Sequence, residues 1–348
     1  MPAAAVESVD EQLHAPLPDP LWSESYYFNF SDAAGRGGGF ARISRQRSGD
    51  EAEGLLCLYL PDGIGVAHVK TPAPRRSDGA ISAGALVFEC EEPLARWRIR
   101  YDGDLHLLDD PRRIPEIHNG HGAAPPMTGA RLDLVLTGLH APFYYPDYRR
   151  VPEAPPHVAR HRGGVAGALR RAARLPGEIA SALRMRSGRH YEQSLAVRGA
   201  VVVNRAATGI DGTGHRDHSW GVRDWSILRR MRWLSGQMSG LAFNVVYISV
   251  PGSHVTNGYV CEDGRVAPVD IVRLATTFTD DGLAGRTIGL ELGAGGRQYH
   301  IAGEVLLNVP LPIDGPGFST MYTVGRTRYT CGDRTGYGVA EFLERLRP

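Results

Sequence analysis

Between residues 212 and 225 the chain runs Gly212-Thr213-Gly214-His215-Arg216-Asp217-His218-Ser219-Trp220-Gly221-Val222-Arg223-Asp224-Trp225. From His215 to Trp225 this stretch holds two histidines, two aspartates, two arginines and two tryptophans, the densest set of proton-handling and π-rich groups in the chain. Three chemistries fit those residue types. In the first, an apolar wall raises the pKa of Asp217, so that it stays protonated and donates to a substrate while His215 or His218 takes a proton back. In the second, Asp217 and Asp224 neutralise Arg216 and Arg223, and the tryptophans fill the core, because buried charges are normally paired. In the third, His215, Asp217 and His218 bind a metal. One short segment supplies no full tetrahedral set, so no metal site is assigned.

The element that must position these groups is a β-strand. Over residues 215–220 its period of two places His215, Asp217 and Ser219 on one face and Arg216, His218 and Trp220 on the other. Glycines on both sides suit tight turns or close backbone approach. The surrounding chain has the same grammar. Strands are predicted at Ser25 to Phe30, Gly39 to Ser44 and Leu55 to Leu60, separated by Gly and Pro clusters. In Arg96-Trp97-Arg98-Ile99-Arg100-Tyr101, apolar and basic residues alternate. Asp102-Gly103 then reads as a hairpin turn into Leu105 to Leu108. Leu132, Leu134 and Leu136 repeat the alternation, giving an antiparallel sheet with one wet face.

Other segments break the pattern. Ile117 to Gly122 carries His118 and His121 on a glycine loop, and His140 to Tyr148 is rich in aromatics that suit a pocket mouth or a sheet edge. Val151 to Pro156 is proline-rich. From Arg160 to Arg189 eight arginines face a single acid, Glu178, with apolar residues at helical spacing, so a basic amphipathic helix is predicted there. From His190 strands resume, with further hairpins signalled by Asp263-Gly264 and by Gly293 to Gly296. Val339, Phe342, Leu343 and Leu346 have helical spacing. Residues 1–22 read as a loose arm.

Composition narrows the function. The 348 residues carry 39 Lys+Arg against 38 Asp+Glu, so no overall field argues for nucleic acid or an anionic surface. Cys57, Cys90, Cys261 and Cys331 lack metal spacing and read as core residues of a reducing compartment. The first twenty residues do not form a secretory signal, and no apolar run reaches membrane length, so a cytoplasmic location is expected. No dinucleotide, P-loop, nucleophile-elbow or zincin motif occurs, and no repeat of fixed period is present.

The Gly-x-Gly-His-Arg-Asp-His-Ser-Trp-Gly stretch resembles the signature of the two-domain lipocalin-like (calycin) superfamily of carotenoid 1,2-hydratase and AttH-like proteins. It is closest to a bacterial branch that shares Trp22-x-Glu24-x-Tyr26-Tyr27-Phe28 and the ending Gly336-x-Gly338-x-x-Glu341. Asp217, His218, Trp220 and Gly221 match the Asp-His-Glu-Trp-Gly core of the AttH-like form, while Ser219 replaces its glutamate and removes one candidate acid. The resemblance implies an all-β chain: an arm over 1–22, a first lipocalin-like β-barrel or sandwich over 23–150, a Pro/Arg-rich helical linker over 151–189, and a second over 190–348. It also implies a pocket for a terpenoid, steroid or polyketide-like molecule. The expected activity is that of a hydratase, isomerase or cyclase working by acid–base catalysis without a cofactor, with Asp217 as donor and His215 or His218 as partner. A non-catalytic carrier of the same ligand is the alternative. Trp220, Trp225, Tyr26, Tyr27, Tyr247 and Arg223 are the candidate substrate-binding residues; aromatic faces stabilise a developing cation by roughly 0.5–2 kcal/mol per ring. The expected partner is a hydrophobic small molecule and not nucleic acid, with peripheral membrane contact through 160–189 as a further option and no oligomeric state implied.

Overall fold

The computed structural model describes residues 6–46, 51–72, 76–77, 80–114, 125–145, 149–151, 188–250, 253–315 and 317–347. Alternating inward apolar residues build two closed antiparallel rings. The first consists of Trp22–Asp32 (β1), Gly38–Gln46 (β2), Glu51–Leu60 (β3), Gly63–Pro72 (β4), Arg96–Leu108 (β5), Met127–Gly138 (β6), Arg189–Val203 (β7) and Ala206–Val222 (β8). Each pairs with the next, and β8 closes on β1 along its length, Tyr26 opposite His218 and Tyr27 opposite Asp217. Closure pairs most ladder edges, and Leu86–Glu92 and Ala80–Ala83 continue the sheet from β5 as a side branch. The second ring is Arg230–Met238 (β9), Leu241–Val250 (β10), Ser253–Glu262 (β11), Arg265–Phe278 (β12), Gly285–Ala294 (β13), Arg297–Gly315 (β14), Phe318–Cys331 (β15) and Arg334–Arg347 (β16). There β16 returns to pair with β9.

Each ring has its own core. Phe28, Phe88, Trp97, Ile99 and Leu134 fill the first, and Phe243, Leu290, Tyr329 and Phe342 the second. A third cluster joins the rings: Phe40, Tyr59 and Val66 of the first pack with Val309, Val324 and Val339 of the second. All four cysteines are free. Among the described residues no helix is long and apolar enough to cross a membrane.

The all-β expectation holds, and so do two of its hairpins. Asp263-Gly264 (φ 49° and 78°) and Gly295-Gly296 (φ 57° and 76°) take the left-handed pairs that a two-residue turn between twisted strands needs. Four expectations require correction. Asp102-Gly103 does not turn; β5 runs straight through it because β6 pairs alongside, Asp102 opposite Arg131 and Gly103 opposite Ala130. Val339 to Leu346 is strand β16, not helix. Val339 and Leu343 face one side while Ala340 and Phe342 fill the ring on the other, and a strand buried on both faces loses its alternation. The division at residue 189/190 does not separate the rings, since β7 and β8 belong to the first sheet and Arg149–Val151 pairs with β11 of the second. Nor is the N-terminal arm loose: Ser8–Glu11 forms a 3-10 turn whose Glu11 is buried. The predicted helix over 160–189, apart from its final residues, and the His118/His121 loop lie outside the described residues.

Candidate functional site

Strand β8 divides its side chains as the period of two requires. Arg216, His218 and Trp220 point into the first ring, and His215, Asp217 and Ser219 point towards the second. The inner face carries Arg216, 1% exposed, between the rings of Trp97 and Tyr191. Its ion partner is Glu11, in two bonds of 2.9 and 2.8 Å, so the pairing of Arg216 with Asp217 considered from sequence does not form. Asp224 accepts from the Ser226 amide and caps a short turn instead of neutralising Arg223. His218 Nδ1 lies 3.2 Å from the Tyr191 hydroxyl and Nε2 3.1 Å from Glu24 Oε1, with Tyr26 stacked on the imidazole at 3.8 Å. Burial pushes the Glu24 carboxyl up, but hydrogen bonds from His14 and His218 outweigh it and hold it at about 2. Burial depresses His218 below its usual range.

On the outer face, strand register aligns Tyr27, Asp217 and Glu192 in one row across β1, β8 and β7. The facing ring contributes Glu341, Tyr322, Trp233 and Asn244. Burial raises Asp217 to about 7, with Glu341 adding to the effect and Arg42 and Arg223 opposing it. Burial also raises Glu341, against the hydroxyls of Tyr322 and Tyr27 and the charge of Arg42. Glu192, fully enclosed, is pushed well above the carboxylate range by burial, then by Asp217 and Glu341. Burial depresses His215 to about 3 and drives His190 well below its usual value. His215 Nε2 lies 2.6 Å from Glu192 Oε2, and burial pushes both groups towards their uncharged forms.

Asp217 is the one acid of the row with both a proton near neutrality and access. Its side chain is 24% exposed, while its Oδ1 is buried with no hydrogen-bond partner. His190 Nε2 lies 3.9 Å from Asp217 Oδ2 and 3.1 Å from Glu192 Oε1, off hydrogen-bond geometry in both cases. Its imidazole is held by Tyr145, stacked at 4.7 Å, and by Trp233, edge-on at 4.9 Å. Such a pair, a protonated carboxyl beside a neutral imidazole, can give and take one proton.

Of the residues named from sequence, His215 and Asp217 share a face, and His218 does not join them. Tyr27 belongs to the same face. Tyr26 and Trp220 lie inside the first ring, Trp220 stacked on His14 at 4.0 Å. Trp225 packs with Ile227 and Leu343, and Tyr247 stacks on His254 at 5.3 Å. Arg223 donates to the Arg189 carbonyl. The metal set His215, Asp217 and His218 is divided between opposite faces. Two other groups bring three ligand atoms within 4.8 Å of one another: His190 with Glu192 and Asp217, and His14 with Glu24 and His218.

Sequence reasoning missed Glu192, His190, Tyr322 and Glu11. They come from the neighbouring strand β7, from the second ring or from the arm, and only register and packing bring them in. Glu24 and Glu341 stood in the flanking segments quoted with the central motif, without a role. The glycines of those segments report the same packing. A Cβ at Gly214 would meet the Asn29 carbonyl oxygen, and one at Gly336 or Gly338 would meet those of Gln237 and Ser235.

A family model described as Domain of unknown function (DUF7064) matches residues 7–345. No curated protein matches. Among solved structures, a candidate AttH from Nitrosomonas europaea is 14% identical, with 98% of each chain covered and a TM-score of 0.57. CghA with Sch210972 is 12% identical over 94% of this chain and 89% of its own, with a TM-score of 0.54. Kievitone hydratase from Nectria haematococca is 9% identical over 99% and 94%, with a TM-score of 0.53. At these identities the likeness is one of fold, and it covers 94–99% of this chain.

Proposed function

The chain belongs to the family described as Domain of unknown function (DUF7064), and we propose that it is a hydratase, isomerase or cyclase that moves a proton on a bulky hydrophobic molecule at the face between its rings. The observation that carries this reading is Asp217: an accessible carboxyl held near pKa 7 by burial and by Glu341. Two structures of the same fold are named as a hydratase and as a protein with a bound small molecule, which is consistent with such chemistry.

The step is proton addition. Asp217 gives its proton to an alkene carbon or a conjugated carbonyl oxygen, leaving a carboxylate and a carbocation or a hydroxyallyl cation, the latter becoming an enol only when water adds to it or a neighbouring proton leaves. In hydration, water then attacks the cation, and its surplus proton returns to Asp217 or to His190. In isomerisation the same base removes a proton from a neighbouring carbon. Either route restores the starting charge. Trp233 and Tyr27 are the aromatic residues of this face that would stabilise the cation. The groups facing Asp217 are Glu341, Glu192, Arg42, Arg223, His190 and Tyr322, and the charge of Glu341 is already one of the causes, after burial, of its raised pKa.

The experiment is extraction and accurate-mass identification of whatever the purified protein retains, then incubation of that compound with wild type and Asp217→Asn. A product shifted by one water, or an isomer of equal mass, formed by wild type and slowed about 10²- to 10⁴-fold in the variant, is expected. Unchanged compound in both would establish a carrier. Equal rates in both, with the variant folded, would remove Asp217 from the mechanism.

A further inference from the structure

The inner face of β8 carries a second recognition element that the proton chemistry does not use. Arg216 is a fully enclosed guanidinium whose geometry is fixed by the first ring itself. Its Nε donates to Gln193 Oε1 at 2.8 Å, and its plane is flanked by Trp97 and Tyr191. Four donors converge beside it: Arg216 Nη1 and Nη2, the Trp97 indole Nε1–H at 2.9 Å and the Leu94 amide at 3.2 Å. Together they make a bidentate carboxylate receptor, with every lone-pair direction of the guest answered. The guest is Glu11, 205 residues away in sequence from Arg216 and carried on the arm.

Within Ser8–Glu11 the other holds are long bonds from the Tyr191 and Tyr26 hydroxyls to the Asp10 and Glu11 carbonyls, at 3.5 and 3.4 Å, and the arm is anchored beyond the turn at His14, which bonds Glu24 and stacks on Trp220. Ser8–Glu11 is a four-residue 3-10 turn in which Glu11 is the buried residue, while Val9 is 58% exposed. Next to the receptor opens a groove of about 460 Å³, lined by Val6, Pro93, Leu94, Leu139, Pro142 and Gln193 among others. That volume falls in the range of small-molecule pockets, roughly 300–1,000 Å³. Leu94 and Gln193 belong to both: Leu94 gives its amide to the carboxylate, and Gln193 orients Arg216 while donating to the Leu94 carbonyl at 2.9 Å. A polar head-group pocket thus opens directly on an apolar trough.

We propose that this mouth of the first ring binds an amphipathic carboxylate, a fatty-acid-like molecule whose tail lies in the groove and whose head displaces Glu11 from Arg216. Glu11 is then an internal mimic of the ligand, and the arm is a stopper that the ligand exchanges with. The site is separate from the Asp217 row, which faces the other way from the same strand.

The test uses dodecanoate as probe, titrated calorimetrically into the full chain. Glu11→Ala, which vacates the receptor, is expected to bind dodecanoate at least about tenfold tighter than wild type, since a charge-assisted hydrogen bond is worth about 1.5–3 kcal/mol. Adding Arg216→Met is expected to remove that gain, and methyl dodecanoate to bind neither variant comparably. A folded Glu11→Ala with unimproved affinity, or equal affinity for the ester, would overturn the proposal. Hydrogen exchange on wild type guards against a variant that fails to fold: saturating dodecanoate must accelerate exchange of the Asp10 and Gln12 amides, which close the turn, and unaltered protection there would refute displacement of the arm.

Discussion

One proton on Asp217 couples the folding equilibrium to pH. Its folded pKa of about 7 lies above the ordinary aspartate value of 3.8, so between those limits the unfolded chain releases a proton that the folded chain retains. The carboxyl's contribution therefore weakens as pH rises from about 4 to 7 and stays reduced above that, by at most about 4 kcal/mol. Asp217→Asn cannot ionise. Its melting temperature relative to wild type is expected to climb across that window, and a flat difference in scans from pH 4 to 8 would show the carboxyl to be unperturbed. If the acid is the proton donor, wild-type turnover falls over the same upper range as the proton is lost. Glu24 behaves oppositely, since its folded value of about 2 lies below 4.5. Its contribution is complete above pH 4.5 and is lost as pH falls towards 2, so Glu24→Gln is expected to cost stability at pH 6 and little at pH 2. At this scale the central motif was legible from residue types alone. Its partners were not: Glu192 and His190 precede the motif by a strand, and Glu341 follows it by more than a hundred residues, with nothing local to mark either relation.

Strands β8 and β16 show what positions these residues. The alternation of 215–220 was legible because each face has its own polarity problem to solve. In β16 both faces are buried, one in the second ring and one against the first, so the apolar run imitates a helix. Asp102-Gly103 misled for the converse reason: a turn-favouring pair sits comfortably at an exposed place in a long paired strand. The glycines of β8 and β16 can be tested directly. Gly214→Ala would drive a Cβ onto the Asn29 carbonyl oxygen and within 2.8 Å of Val197 Cγ2. A loss of about 1–3 kcal/mol in urea unfolding is expected, in keeping with overpacking elsewhere. Gly264→Ala at a hairpin tip meets no atom within 4 Å; its cost comes only from the left-handed φ of 78°, about 1 kcal/mol.

The two rings do not stand alone as molecules. Phe40, Tyr59 and Val339 share one cluster, the Gln237 side chain donates to the Gly214 carbonyl, and Tyr145 donates to Asn244 across the seam. A fragment ending at Val222 would keep the first ring closed but uncover the outer faces of Phe40, Cys57 and Tyr59. Self-association in gel filtration and enhanced dye binding are expected from it, and a monodisperse monomer would show that the seam contributes little. The number of rings was implied by the family resemblance, but the border between them was not legible, because the chain crosses to the second sheet at Arg149–Val151 and returns for β7 and β8 before crossing again.

The two faces of β8 also have a consequence for descent. Neighbouring positions in this strand answer to different partners, Glu11 and Glu24 on one side, Glu192 and Glu341 on the other. As the gene drifts, exchanges at 216 and 218 are expected to travel with those at 11 and 24, and exchanges at 215 and 217 with those at 192 and 341. Two inheritances are then interleaved letter by letter, and a single inserted codon within the strand would hand each one's residues to the other.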